Sequence, residues 1–218
     1  MKARSVKMLL ALVCFALVCS TLALAADPPA VSPKVTFAKS FPGSAPPFFS
    51  VTIERAGAAT YNESDDPDNA EKIKLEPALV NRIFDLADKL DHFNNPLESG
   101  LKVANMGMKT VRWENGDQKQ ETKFNYSTSE DAKTLTDLFE RVAESTRMLV
   151  DLNRAIRHDR LGVNDAILRI AVAWDAKRLV ATPQYLPVLD QVAANEAFIH
   201  MARERAARIA DAIRAMQP

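Results

Sequence analysis

Two stretches of this 218-residue chain carry side chains that could do chemistry. The first is the acidic run Glu63, Asp65, Asp66, Asp68 and Glu71. Clustered carboxylate oxygens suit a hard cation such as Ca²⁺, and Asp65, Asp66 and Asp68 are the closely spaced candidate metal ligands. The run lacks the glycine that turns an EF-hand loop sharply, and Pro67 interrupts the spacing. A solvated hairpin loop explains the same residues. The second stretch is His158-Asp159-Arg160, where a histidine beside a carboxylate could serve as a general base. These residues also suit a helix C-terminus, where the dipole favours the two cations and Asp159 can pair with one of them.

Other chemistry lacks its context. Gly43-Ser44 is no nucleophile elbow, because the flanking glycine pattern and the strand-to-helix setting are missing. His92 and His200 are isolated, no HExxH occurs, and six glycines form no phosphate-cradling loop. No cofactor-binding motif is present. Arg203, Arg205, Arg208 and Arg214 line one side of the last helical stretch, but Glu204 and Asp211 interrupt them and its apolar side is mostly alanine. That composition fits a solvated face, with the C-terminal helices as the place for a protein partner or self-association.

The elements that must position these residues follow from periodicity. Val35, Phe37 and Phe41 alternate with Thr36, Ala38 and Ser40, and Phe49, Val51 and Ile53 alternate with Ser50, Thr52 and Glu54. Ala56-Gly57-Ala58 then turns the chain, pairing Tyr61 with Ile53. Ile73 and Leu75 suggest one more short strand. Leu79, Val80, Ile83, Leu86, Ala87 and Leu90 form a helical stripe starting at Pro77. Asn115-Gly116 marks a second hairpin, with Val111 and Trp113 on the face of Gln120, Thr122 and Phe124. Ser127 and Glu130 read as a capping box that opens a helix running to about His158. A further helix carries Ile167, Ile170 and Trp174, and a last long one places Leu189, Val192, Ile199, Ala202, Ile209, Ile213 and Met216 inward. Strands first and helices last indicate an α+β fold: antiparallel hairpins with one packed helix, followed by long antiparallel helices.

The N-terminus sets the compartment. Lys2, Arg4 and Lys7 precede the apolar run Met8–Ala25, and Ala23-Leu24-Ala25 offers a signal-peptidase site. Residues 1–25 are thus expected to be a signal peptide, 26–34 a Pro-rich lead-in, 35–128 an α+β domain and 129–218 a helical part. Retention of the apolar run as an anchor is the alternative. The expected location is exported, periplasmic or extracellular. Both cysteines, Cys14 and Cys19, fall in that run, which excludes disulfides and a thiol nucleophile from a mature chain. Its 25 remaining Lys and Arg (28 less the three leading bases) face 28 Asp and Glu, a net charge of about −3. Neither nucleic acid nor, after cleavage, a membrane surface is indicated.

Phe37-Ala38-Lys39-Ser40-Phe41-Pro42-Gly43-Ser44, then Thr52-Ile53, Gly57 and Tyr61, resemble the opening of a group of uncharacterised exported bacterial domains of unknown function. The resemblance covers roughly residues 35–145 and implies a hairpin, a helix and a second hairpin. Some members carry a cysteine pair in the loop before the first hairpin, where this chain has Phe41 to Pro47, so nothing attached to such a pair transfers. The expectation is a non-catalytic exported binding or scaffolding protein. The alternatives are an exported hydrolase using His158 and Asp159, or an accessory or inhibitory partner of a cell-envelope enzyme.

Overall fold

Alternation decides which side of each strand is buried. In β1 (Lys34–Ser40), Val35 and Phe37 are fully buried between half-exposed neighbours, and in β2 (Phe48–Glu54) Val51 and Ile53 are buried likewise. The same face continues through Ala59 and Tyr61 of β3 (Ala58–Asn62) and Ile73 of β4 (Glu71–Lys74). On the other side it continues through Val111 and Trp113 of β5 (Met108–Asn115) and Phe124 of β6 (Gln118–Phe124). The six strands form one antiparallel sheet in the order β4-β3-β2-β1-β5-β6. The computed structural model describes residues 32–64 and 66–216. The expected signal peptide, most of the lead-in and Asp65 lie outside the described residues.

Two turns differ from the sequence expectation. Tyr61 pairs with Val51 rather than Ile53, because Arg55, Ala56 and Gly57 form the turn and Ile53 meets Ala59. Gly57 has φ +90°, and a Cβ there would stand 3.1 Å from the Leu75 carbonyl oxygen, so only glycine fits easily. In the second hairpin the turn is Gly116-Asp117, since Asn115 still pairs with Gln118. Both shifts preserve which face is buried.

After β4 at one edge, the chain must cross the sheet to reach β5. Helix α1 (Pro77–Lys89) makes that crossing, burying Val80, Ile83, Phe84, Leu86 and Ala87. It ends in Asp91, His92 and Phe93, three consecutive non-glycine residues at φ 50°, 50° and 68°. Left-handed backbone of this kind costs about 1–2 kcal/mol per residue. Burial of Phe93 and the His92 ring lying 4.3 Å from Trp113 offset it.

Helix α2 (Glu130–His158) is 29 residues long. Its cap is Ser129, which accepts from the Ala132 N–H, so the cap lies two residues beyond the expected Ser127 and the expected capping box with Glu130 does not form. Ser127 instead is buried and accepts from the Ser129 N–H. The first half of α2 covers the sheet beside α1, with Phe139 stacked on Phe37 at 5.3 Å between ring centres. Two helices, not one, therefore pack on the strands.

The second half of α2 enters another apolar cluster. Leu152 packs there with Val163, Ile167 and Ile170 of α3 (Gly162–Asp175) and Val188, Leu189 and Val192 of α4 (Leu186–Ala194). Ala206, Ile209, Ala210 and Ile213 of α5 (His200–Ala215) complete it, the alanines allowing close approach. The expected single last helix is two, because Phe198 turns inward between them. Ile199 and Met216, expected inside, are exposed. The described residues belong to one compact unit, and none of their helices is long and apolar enough to cross a membrane.

Lys109 is the buried cation of the sheet. Its Nζ donates to the carbonyls of Met106, Gly107 and Asn125 at 3.3, 3.0 and 2.8 Å, fastening the 98–107 loop to the end of β6. Burial holds its pKa below the usual lysine range. Replacing it by methionine strands those acceptors, so K109M should lose about 1–3 kcal/mol in urea unfolding. Amides of residues 98–107 should exchange faster than the strand amides; unchanged exchange there would refute the tether.

Candidate functional site

Lys39 follows Val35 and Phe37 on the buried face of β1, at the end of the sheet where the core opens to solvent. Its ammonium meets Glu140 of α2 at 2.7 Å. Beside it, Phe49 bridges Phe37 and Tyr61, with ring centres 5.9 and 6.2 Å away. These strand-end residues form one wall of a cleft of about 940 Å³. Glu140, Ala143, Glu144, Arg147, Met148 and Asp151 of α2 supply its floor, and Leu168, Arg169, Val172 and Ala173 of α3 the far wall. The cleft thus lies where the two apolar clusters part.

The lining helix positions follow from spacing: 140, 144, 147 and 151 recur every three or four residues and share one side of α2. Their charges are engaged across the cleft. Arg178, just beyond α3, reaches Glu144 and Asp137 at 3.1 Å each. Arg147 donates to the Ala45 carbonyl, closing the loop of residues 41–47 onto α2, and its Nε stands 3.6 Å from Glu63. Glu63 also accepts from the Tyr61 hydroxyl at 2.6 Å. A second depression of about 300 Å³ lies beyond this bridge, lined by Tyr61, Asn62, Glu63, Arg147, Asp151 and Arg154. Burial, reinforced by Glu63, pushes the Tyr61 phenol well above its ordinary pKa. Tyr185 is pushed up too, by burial, and donates to the Ser145 carbonyl on α2.

The residues singled out from sequence lie elsewhere. His158, Asp159 and Arg160 are exposed at the far end of α2 and line neither depression. Asp159 accepts from the Gly162 N–H at 2.9 Å at the start of α3, and Arg160 donates to the Ala197 carbonyl at 2.7 Å. A Cβ at Gly162 would fall 2.2 Å from the Asp159 carboxylate, so the two residues are fitted to each other. In the acidic loop, Asp66 accepts from the Asp68 N–H at 3.0 Å and from the Asn69 side chain at 2.8 Å. Among the described residues no group of three or more His, Cys, Asp or Glu is placed to hold a metal ion. Sequence reasoning missed Lys39, Tyr61, Arg147 and Arg169. The signal available was a lysine in phase with Val35 and Phe37, and the charged stripe along α2.

No known family model matches the chain, and no curated protein matches it.

A protected phenol predicts alkaline sensitivity of a defined sign. Tyr61 keeps its proton in the fold to higher pH than in the unfolded chain, so its contribution is full below the ordinary value of 10.0. It is lost as pH rises above that value, by about 1.4 kcal/mol per pH unit. Urea midpoints measured from pH 9 to 11 should therefore fall less steeply for Y61F than for the wild-type chain. Parallel slopes would show that the phenol is not protected.

Proposed function

We propose that the chain acts outside the cytoplasm as a non-catalytic binding module, and that it holds its ligand in the cleft between the strand ends, α2 and α3. The observation carrying this reading is the chemistry of the lining. The larger depression is walled by apolar groups (Phe49, Met148, Leu168, Val172 and three alanines) and by charges that engage one another. Among the described residues no Ser, Thr, Cys or His lines it, so the described wall offers none of these nucleophiles and no imidazole base. Its volume falls in the range typical of small-molecule sites, about 300–1,000 Å³. Leu168 and Val172 are 43% and 61% exposed, which leaves apolar surface for a ligand to cover. The exported compartment is proposed from the N-terminal segment and the resemblance to exported bacterial domains.

The neutral solvatochromic dye Nile red tests the cleft. It should bind saturably, one per chain, and V172E should weaken that binding at least about tenfold with Tm unchanged, because the position is exposed. No saturable uptake, or equal uptake by V172E, would overturn the assignment. A hydrolytic activity abolished by H158A would overturn the non-catalytic reading.

A further inference from the structure

The charges of the larger depression do not balance. Lys39 is matched by Glu140, Arg178 by Glu144, Arg147 by Glu63, and Asp151 by Arg154 at 3.7 Å. Arg169 of α3 also lines it, is exposed, and makes no ion pair or side-chain hydrogen bond among the described residues. One cation is left over beside the uncovered apolar wall of Leu168 and Val172, its neighbours at one and three residues along the helix.

The walls also say what the ligand lacks. β1, β2 and β3 are each paired on both sides, and the helices bond their own backbones. The loop of residues 41–47 contributes only Pro46, which has no N–H, while the Ala45 carbonyl is already taken by Arg147. Beyond these, only Ala176 and Arg178 after α3 bring main chain to the lining, and their N–H groups already bond Val172 and Ala173, so a peptide in the cleft would leave most of its amides without partners, which is costly. A chain of methylenes meets no such cost.

Resting on the binding reading above, we infer that the ligand is a small amphiphile: an aliphatic chain bearing one carboxylate. The carboxylate pairs with the Arg169 guanidinium, whose planar fork matches it. The chain lies along Leu168, Val172, Met148 and Phe49.

Calorimetric titration of the purified chain with decanoate, decanol and decyltrimethylammonium, below their micellar ranges, tests this. Decanoate should bind about tenfold tighter than decanol, as expected for a charge-assisted contact at a half-open site. In R169Q decanoate and decanol should bind alike. Equal affinities in the wild-type chain, tighter binding of the cationic amphiphile, or an R169Q chain that keeps the carboxylate preference would each overturn the inference. If Nile red enters the cleft while decanoate shows no advantage, the charge assignment fails and the binding site stands. If none of the four probes binds, both fail.

Discussion

One helix belongs to two apolar cores, and the rest of the architecture follows from that. At 29 residues α2 is about 43 Å long, whereas a seven-residue strand spans only about 23 Å. Its first half is fixed on the sheet by Phe139 over Phe37, and its second half projects past the strand ends. Apolar residues there, Leu152 above all, need a cover of their own, which α3, α4 and α5 provide. The segment between α3 and α4 returns across the middle of α2, where Ser145 accepts from the Val180 N–H and Tyr185 bonds its carbonyl. Gln184 then donates to the Lys74 carbonyl at the edge of the sheet. The cleft is the space left where one core stops and the other begins.

The ion pairs around that space do little to hold the fold. They are partly exposed, and pairs of that kind contribute about 0–1 kcal/mol each. Their effect is on the character of the cleft: by matching one another they leave the apolar wall of Leu168 and Val172 with, among the described residues, a single surplus cation beside it. Lys109 is a different case, since its donors are turned to backbone carbonyls and its removal leaves acceptors without partners. It sits opposite Lys39 in the sheet, so two lysines at paired positions share one face, one fastening a loop and one lining the cleft.

The fold was legible because burial follows periods of two and 3.6 residues. The alternations at Val35 and Phe37, Val51 and Ile53, and Val111 and Trp113 put those residues on the core face, as the structure has them. Local details were less legible for identifiable reasons. Ser127 and Ser129 are both competent caps by residue type, and only the fold shows Ser127 buried and bonded to the Ser129 N–H while Ser129 caps the helix. The break between α4 and α5 escapes periodicity because Val192 and Ile199 are seven residues apart and stay in phase while Phe198 dips inward. The cleft was hidden for a stronger reason. Its parts come from three strands and two helices, and the Lys39–Glu140 pair alone spans 101 positions. Chemically suggestive neighbours such as His158 and Asp159 stood out in sequence, but they close a helix end instead.

The two outer strands have a consequence for how copies of the chain can meet. β4 is only four residues long and carries Lys72 and Lys74, while β6 carries Lys119 and Lys123. A second copy approaching either border would bring ammonium groups against ammonium groups, and at β4 the ladder is also short, which disfavours strand addition. Both borders of the sheet thus carry an obstacle to edge-to-edge pairing between copies.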